Sequence, residues 1–494
     1  MSYSDELEVV GRVVSPSQVD EFTFALNENK EIRAREYCLV KHPLEDILCL
    51  CRVITGSVQN PTVSPKGIGA VIAKSGFEIG KEQEVALMKA EVLGYIKEGK
   101  FRPPDFPIAP NSKVYRCSEE QIRPFLQAQE GIQIHVGKDP FSNLPISLSL
   151  DWITKGHLGV YGQTRSGKTS FVLRLIKSAV DNDPPARFVI YDRYGEYSPL
   201  IDAGYGVRLG YDAFLTGAVS PDEITLRLGL DPKSSAYRDV KTAIETLMDR
   251  GTEVTPKAIL EELEEIKMRS DVKARVEYIL KSPRAKKELK ILSREEREEA
   301  NLIRLIKENP VVIIDFSIDA DIGRQQIAFS HIVGKLFGRA VATRGEEFTC
   351  INVIEEAQFF APERGMPTYG DPWGNGSITA LSMGVSQLGG YNIGFIVMTQ
   401  RPAYVAKAVL AQCNTHICFR LMSSADHDQV SGVTGYSIWR LREILPNLET
   451  HVGFLIGAAS PFWFPVFCET ELWEYPRKAT KTASQLLREM YDGM

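Results

Sequence analysis

The chain has 494 residues, 44% of them hydrophobic, which is enough material for two or three globular domains. Its formal net charge is -6, which excludes a protein that coats its whole surface with nucleic acid. Any contact with nucleic acid must therefore be a local patch, such as the lining of a channel. The eight cysteines show neither a CxxC pair nor zinc-ligand spacing, and we expect small buried thiols in a reducing compartment.

The sequence shows no signal for secretion or for a membrane. Its first residues carry neither a basic region nor an apolar run, and no apolar stretch reaches membrane-spanning length. We therefore expect a cytoplasmic protein that makes no contact with a membrane.

Short strand patterns separated by turn residues fill the N-terminal part of the chain. Val9–Val14, Glu21–Leu26 and Ile47–Ile54 are examples, and Asn27–Asn29 is one of the turns. Many short strands with regularly spaced turns are typical of a small barrel, and such barrels usually bind partners. Residues 1–138 are therefore predicted to form a β-barrel that docks partner proteins.

A phosphate-binding loop follows the predicted barrel. Gly162–Thr169 fits the pattern G-x-x-x-x-G-K-[ST]; His157–Tyr161 before it is typical of a buried strand, and Phe171–Ile176 after it has apolar residues at helical spacing. The two glycines let the backbone curl so that its N–H groups point inward, and the new helix adds its positive dipole end. This arrangement predicts a site for the phosphates of a nucleotide.

Single residues of the loop have predicted roles. Lys168 places a cation at the β- and γ-phosphates, and the Thr169 hydroxyl is a ligand for Mg²⁺. Arg165 stands where such loops often have glycine. We predict that ATP and Mg²⁺ bind here and that the nucleotide contacts Gly162, Thr164, Arg165, Ser166, Gly167, Lys168, Thr169 and Ser170.

Two acids follow the next predicted strand. Asp192 ends the strand Arg187–Asp192, and Glu196 follows it closely. The C-terminal ends of strands line the crevice of an open α/β sheet, so both acids are candidates for nucleotide contact. The alternative for Asp192 is that it only caps the next turn.

Residues 220–308 differ from their surroundings in composition. Strand patterns are missing, and lysine and arginine are interspersed with glutamate. Thr255–Pro256 starts a helix, with threonine as the cap and proline at the first helical position. We predict a helical insert that divides the ATPase core into residues 139–219 and 309–468. Its charges form either a solvated face or, in part, a face for DNA.

Strands that alternate with helices return after the insert. They are predicted at Pro310–Asp315, Thr349–Ile354, Ile393–Met398 and His416–Leu421. This alternation predicts an α/β fold with a mostly parallel, doubly wound sheet. Residues 469–494 are predicted to be a polar C-terminal tail and a candidate brace between subunits.

Hydrolysis of a γ-phosphate needs a held Mg²⁺ ion and a water molecule oriented for in-line attack. Two strand ends compete for these tasks. Glu355 and Glu356 offer two adjacent acids, and we assign Glu355 to the Mg²⁺ shell and Glu356 to the attacking water. Asp315 is the alternative for the metal.

Gln400 and Arg401 follow another strand on the same edge. A glutamine there can contact the γ-phosphate, and an arginine there can sense it or reach a nucleotide in an adjacent subunit. An ordinary surface ion pair is the alternative for Arg401, and Arg420 has the same placement on weaker grounds. The predicted catalytic residues are Lys168, Glu356, Gln400 and Arg401.

Pro362–Gly376 is a long, glycine-rich stretch after the acids. Two interpretations stay open for it. It is either a loop that projects into the channel of a ring, where Tyr369 and Trp373 contact DNA, or a mobile surface loop.

Four motifs in this order resemble the HerA family of hexameric DNA translocases, which is related to the FtsK motors. They are Gly162–Thr169, Asp192-x-x-Gly195-Glu196-Tyr197, Glu355-Glu356-Ala357 and Thr399-Gln400-Arg401-Pro402. The N-terminal strands and the helical insert also fall where that family has its barrel and its bundle. The resemblance covers nearly the whole chain.

The resemblance implies a RecA-like ATPase core in a homo-oligomeric ring, a hexamer, that threads double-stranded DNA at the expense of ATP. It also implies a NurA-type nuclease docked on the barrel face, and a role in DNA end resection and recombinational repair.

The chain departs from the family at two places. An Arg-Lys pair often precedes the Thr-Gln-Arg-Pro strand, and Ser386–Asn392 stands there instead. A family arginine that reaches the neighbour's nucleotide lies just ahead of the phosphate loop, where this chain has only Lys155. Two other classes stay open: a P-loop motor that acts on protein, and a nucleotide-gated switch, which the Glu355–Glu356 pair disfavours.

Overall fold

The computed structural model describes residues 7–60, 84–475 and 483–492. Single residues and short stretches inside these ranges are outside the description, namely 128, 130, 215–220, 222–223, 226–227, 233, 251, 267, 284, 286–288, 290–300 and 319.

The strands fall into two sheets, one before and one after residue 130. Their bounds are β1 (Val9–Ser17), β2 (Glu21–Leu26), β3 (Tyr37–Lys41), β4 (Leu48–Gln59), β5 (Val85–Lys97), β6 (Lys100–Arg102), β7 (Lys113–Arg116), β8 (Gln133–Lys138), β9 (Pro145–Ser149), β10 (Leu158–Tyr161), β11 (Phe188–Asp192), β12 (Gly206–Gly210), β13 (Val311–Asp315), β14 (Cys350–Ile354), β15 (Ile393–Thr399), β16 (Thr415–Cys418), β17 (Val452–Gly457) and β18 (Val466–Thr470).

The helices lie almost entirely after the first sheet. Their bounds are α1 (Glu119–Ile122), α2 (Leu150–Gly156), α3 (Lys168–Val180), α4 (Ser198–Asp202), α5 (Ser235–Asp249), α6 (Pro256–Glu264), α7 (Ser270–Lys281), α8 (Leu302–Glu308), α9 (Ile322–Ala342), α10 (Ser377–Gln387), α11 (Lys407–Leu410), α12 (Ser424–Thr434), α13 (Ile438–Ile444) and α14 (Ala483–Asp492).

The first sheet closes into a barrel, as the sequence predicts. Its strand order is β2-β1-β7-β3-β4-β5, and β2 pairs again with β5, while β6 extends β5 as a hairpin. Alternate residues point inward and form a separate core that includes Val10, Phe24, Val40 and Val114. The predicted C-terminal boundary of the barrel at residue 138 is too late, because β8 pairs with β9 and β18 in the second sheet.

The second sheet has the order β12-β13-β11-β14-β15-β10-β16-β17-β18-β8-β9. The pairs from β12 to β16 are parallel, and the pairs from β16 to β9 are antiparallel. The predicted mostly parallel α/β sheet is thus confirmed, with an antiparallel extension at one edge.

Helices cover both faces of this sheet. In β13, Val312 and Ile314 pack on the face that also holds Phe329 of α9, whereas Val311 and Ile313 pack on the face that holds Phe171 of α3. Unbroken apolar runs such as this strand are expected where both faces of a parallel sheet are buried. The parallel half of the sheet is therefore buried on both faces.

The predicted helical insert has its own small core. Helices α5, α6 and α7 bury Val240, Ile259 and Leu280 against one another. The predicted start of α6 is confirmed, since the Ala258 N–H donates to the Thr255 hydroxyl over 3.1 Å and Pro256 is the first helical residue. Much of the stretch after α7 lies outside the described residues.

A buried arginine joins the barrel to the second sheet. The Arg52 guanidinium pairs with Glu91 inside the barrel and donates through Nη1 to the Pro465 carbonyl at 2.6 Å. Arg440 of α13 bonds Glu21 at 2.7 Å on the same side. Because each of these charged side chains requires its partner, the contacts favour one orientation of the barrel relative to the second sheet.

Among the described residues, no helix is both long and apolar enough to cross a membrane.

Candidate functional site: a nucleotide-binding cleft

The phosphate-binding loop lies at the centre of the second sheet. It follows β10, which runs parallel to both β15 and β16, and it continues into α3. The predicted strand, loop and helix are thus confirmed. The predicted catalytic residues Glu356, Gln400 and Arg401 follow β14 and β15 on one side of the loop, and β16 and β17 lie on the other side.

The loop requires glycine at both of its ends. Gly162 has a φ of 156° and Gly167 a φ of 116°, which are conformations that strain other residues. A Cβ atom at Gly162 would lie 2.6 Å from Ser166 Oγ, and one at Gly167 would lie 2.9 Å from the Cα of His451. Arg165 has a left-handed φ of 63°, which gives a physical reason why glycine is frequent at this position.

Lys168 is buried at the start of α3 and points back into the loop. Its Nζ donates to the carbonyls of Gly162 at 2.6 Å and Gln163 at 3.2 Å. Burial lowers the pKa of Lys168, while the charges of three nearby glutamates oppose this shift. Next to it, the Thr169 hydroxyl donates to Glu196 Oε2 at 2.8 Å.

An open cleft of about 770 Å³ lies over the loop and the first turn of α3. This volume is in the range of roughly 300–1,000 Å³ that is usual for small-molecule sites. Of the predicted nucleotide contacts, Thr164, Arg165, Gly167, Lys168, Thr169, Ser170 and Glu196 line it. Gly162 and Ser166 lie beneath, and the Ser166 hydroxyl is engaged with the Gln163 carbonyl at 2.7 Å.

The two predicted acids at the end of β14 are both buried. Glu355 Oε2 accepts a hydrogen bond from the Arg193 N–H at 3.1 Å. Burial, and then the charges of Asp192 and Glu196, raise the pKa of Glu355 well above its ordinary value. A cation brought to Glu355 would relieve both effects.

Glu356 is held by two glutamines. Gln400 Nε2 donates to its Oε1 at 2.6 Å, and Gln358 Nε2 donates to its Oε2 at 2.7 Å. Gln400 Oε1 in turn accepts from the Thr164 hydroxyl of the phosphate loop at 2.5 Å. The two amide groups thus orient the Glu356 carboxylate, and the Glu356 backbone has a left-handed φ of 50°.

The predicted Mg²⁺ ligands fit a hard cation that completes its shell on phosphate. No group of three or more His, Cys, Asp or Glu side chains forms a metal cage within the described part of the chain. Mg²⁺ usually binds through one or two carboxylates together with phosphate oxygens, and Thr169 and Glu355 offer such a partial set. Both remain predicted ligands.

Asp192 turns away from the cleft, which favours the capping alternative. It is fully buried, and its Oδ1 accepts from the N–H groups of Gly195 at 2.8 Å and Glu196 at 3.2 Å. Arg208 approaches its other oxygen at 3.6 Å. Asp192 therefore shapes the turn that presents Glu196, and its direct contact with nucleotide stays a prediction without geometric support.

Asp315, the alternative metal ligand, lies further from the loop. Its carboxylate pairs with Arg208 at 2.8 Å and accepts from the Ser317 hydroxyl at 2.6 Å. These contacts lower the pKa of Asp315 even though desolvation acts the other way. The acid is engaged inside the sheet, so the structure favours Glu355.

Arg401 forms an ion pair, which is the alternative interpretation of this residue from the sequence. Its Nε donates to Asp426 Oδ2 at 3.0 Å, and its guanidinium lies 4.5 Å from the ring centre of Tyr404. The side chain is nevertheless 43% exposed, so a neighbouring molecule can reach it. Arg420 contributes to the loop through its carbonyl, which accepts from the Gln163 N–H at 2.9 Å.

Several residues of the site are not predicted from the sequence, and Gln358, Arg193 and His451 are three of them. Gln358 and Gln400 together form the frame that holds the Glu356 carboxylate, and Gln358 Oε1 also accepts from the Thr399 hydroxyl at 2.8 Å. Arg193 packs its guanidinium 3.7 Å from the ring centre of Phe359. His451 backs the phosphate loop, where its N–H donates to the Ser166 carbonyl at 2.9 Å. Gln358 and Arg193 have a weak signal in the sequence, since each lies within two residues of a predicted acid.

The predicted channel loop is anchored to α9. Gln326 Nε2 donates to the carbonyls of Phe359 and Tyr369, both at 2.7 Å. Tyr369 and Trp373 are exposed nonetheless. Contact of this loop with DNA remains a prediction.

This fold and this cleft define a P-loop ATPase with a RecA-like core. The overall fold resembles that of VirB4 from Thermoanaerobacter pseudethanolicus, with a TM-score of 0.51 and 14% sequence identity over 70% of this chain and 98% of that one. At this identity the likeness concerns the fold alone.

Sequence comparisons lead to a particular family within that class. Residues 134–336 match the family described as "Helicase HerA, central domain". The chain is 22% identical to the "DNA double-strand break repair helicase HerA" of Pyrococcus furiosus, over 92% of this chain and 90% of the relative. It is also 22% identical to the protein of the same name from Sulfolobus acidocaldarius, over 91% and 90%. The resemblance to the HerA family is therefore confirmed.

Proposed function

We propose that this protein hydrolyses ATP and uses the energy to move along double-stranded DNA. The observation that carries the proposal is the fixed position of Glu356, which two glutamines hold beside the phosphate loop. A carboxylate held in this way suits the orientation of an attacking water molecule.

Lys168 and the loop amides bind the triphosphate in this proposal. Without nucleotide, Lys168 donates to two loop carbonyls. Phosphate oxygens are stronger acceptors for an ammonium group than neutral carbonyls are, so Lys168 turns to the β- and γ-phosphates when ATP binds. The dipole of α3 adds to this attraction.

Thr169 and Glu355 hold Mg²⁺ in this proposal. A Mg²⁺ ion held there would supply positive charge against the charge that develops on the phosphate oxygens. Thr169 leaves its present acceptor, Glu196, to take this role. Glu196 then remains at the cleft with a free carboxylate oxygen.

Glu356 accepts a hydrogen bond from the water that attacks the γ-phosphate. Both of its oxygens already accept from the glutamines, so the carboxylate cannot rotate to follow the water. Gln400 links Glu356 to Thr164, and it is therefore placed to respond when the γ-phosphate leaves.

The relatives support DNA as the track. Two proteins that match this chain over nine-tenths of its length bear the name of a DNA double-strand break repair helicase. We infer from this resemblance a homo-hexameric ring around duplex DNA, a NurA-type nuclease docked on the barrel, and a role in DNA end resection and recombinational repair. Arg401 is a candidate to reach a neighbour's nucleotide in such a ring.

ATPase measurements with and without linear duplex DNA test this proposal. We expect turnover to rise several-fold with DNA, and we expect the Glu356→Gln variant to show neither the basal nor the stimulated rate. Light scattering with ATP present should give the mass of a ring. Stimulation by an unfolded protein but not by DNA would replace this function with a motor that acts on protein.

A further inference from the structure

The phosphate loop and the acids fix the direction in which a nucleotide must lie. Gln400 and Glu356 stand on the β14–β15 side of the loop, so the γ-phosphate points to that side. A phosphate loop holds the α- and β-phosphates at the start of its helix. The sugar and the base must therefore extend beyond Ser170, away from the acids and toward the β16–β17 side.

The cleft continues on that side and has its own wall. Besides Ser170, Thr450, His451 and Tyr475 line it. Thr450 and His451 directly precede β17. Tyr475 comes from the segment after β18, which is predicted from the sequence to be a polar tail and a candidate brace between subunits.

Specific contacts hold this segment against the nucleotide site. Glu471 accepts from Arg174 of α3 at 3.0 Å and pairs with His135 at 2.7 Å. The ring of Trp473 then lies between Tyr205 and Tyr475, with ring centres 6.1 Å and 5.0 Å away. Trp473 and Tyr475 both pack against the hydrophobic core that includes α3. The segment is thus built onto the same helix that begins at the phosphate loop.

We propose that Tyr475, supported by Trp473 and flanked by His451, is the wall on which the base of the bound nucleotide stacks. The proposal rests on the proposed function, since it takes ATP as the ligand of the cleft. An aromatic face stacks on any base, and a phenol ring adds binding without a demand for one hydrogen-bond pattern. The C-terminal segment thereby becomes part of the nucleotide site.

Binding of ADP and of inorganic pyrophosphate, measured by calorimetry, separates the base from the phosphates. Tyr475→Ala should weaken ADP binding about tenfold and leave pyrophosphate binding within about twofold. Tyr475→Phe should bind both ligands as the unchanged chain does, because it keeps the ring. Tyr475→Leu, which keeps much of the volume, should behave as Tyr475→Ala.

Lys168→Ala is the matched control, since it should weaken both ligands together. If Tyr475→Ala binds ADP normally, the base wall is wrong and the proposed function stands. If Tyr475→Ala loses pyrophosphate as strongly as ADP, the residue only supports the loop and the inference is overturned. If the unchanged chain binds neither ligand, the proposed function fails and the inference fails with it.

Discussion

Two groups of acids stand at the C-terminal edge of the same sheet, and they differ in what surrounds them. Asp192 and Asp315, with Arg208 between them, form a group that we call the arginine clamp. Glu355 and Glu356 form the acid pair beside the phosphate loop. The clamp neutralises its charges within the chain, whereas amide groups orient the acid pair without neutralising it.

Strand order explains the difference. The parallel register of β11 and β13 sets Asp192 directly beside Asp315, and β12 brings Arg208 next to them. The acid pair follows β14, which is separated from β10 only by β15. The comparison shows that strand order decides which acids at this edge meet Arg208 and which lie beside the phosphate loop.

The largest expected effect comes from a substitution that disrupts the nucleotide cleft and leaves the arginine clamp unchanged. Lys168→Ala removes the cation at the phosphates and should lower ATP turnover by about 100-fold or more. Its thermal midpoint should stay close to that of the unchanged chain, because the hydrogen bonds of Lys168 within the described residues go to two carbonyls of the loop itself. Full turnover in this folded variant would remove the nucleotide site from the account.

The second largest effect is expected from a substitution that disrupts the arginine clamp and leaves the residues lining the cleft unchanged. Arg208→Ala leaves two carboxylates side by side without their cation and should cost about 2–3 kcal/mol of folding stability. Thermal unfolding followed by circular dichroism measures the loss, and Arg208→Lys should recover part of it. An Arg208→Ala protein of unchanged stability would show that the clamp does not neutralise its acids as we describe.

The smallest expected effect is a difference between the acid pair and the arginine clamp in how their contributions to stability depend on pH. The pKa of Glu355 is raised by burial above its ordinary value of 4.5, so the folded chain holds this proton more tightly than the unfolded chain. Its contribution to stability is fully present below the unfolded pKa and is lost as the pH rises through the folded pKa. Glu355→Gln should therefore raise the thermal midpoint by about 2 °C at neutral pH, and by less in acid.

Asp315 gives the opposite sign. Its pKa is lowered by contacts with Arg208 and Ser317, so its contribution is present above the unfolded pKa and is lost as the pH falls. Asp315→Asn should lower the thermal midpoint at neutral pH. Shifts of the same sign in Glu355→Gln and Asp315→Asn would contradict the contrast between the two groups.

Local patterns carry most of what the sequence predicts here. The phosphate loop, the start of α6 and the alternation of strands with helices each depend on neighbours along the chain, and the structure confirms them. The predicted C-terminal boundary of the barrel, residue 138, is wrong because β8 pairs with β18, which lies more than 300 residues later in the chain. Nothing near β8 in the sequence indicates that pairing.

Contacts between distant strands also limit how much of the candidate site can be predicted from the sequence. The sequence offers Asp192, Asp315 and Glu355 as similar acids, and only strand order separates them. His451 and Tyr475 reach the cleft from the far C-terminal part of the chain. Their placement depends on the antiparallel pairing of β16, β17 and β18, which no local pattern predicts.

The most direct test of the account is the Glu356→Gln variant, with ATP binding and ATP hydrolysis measured on the same protein. We expect binding within about threefold of the unchanged chain and hydrolysis reduced by about 100-fold or more, since glutamine keeps the shape but loses the charge that orients the water. Near-normal hydrolysis would contradict the assignment of Glu356 and with it the role of the frame formed by Gln400 and Gln358.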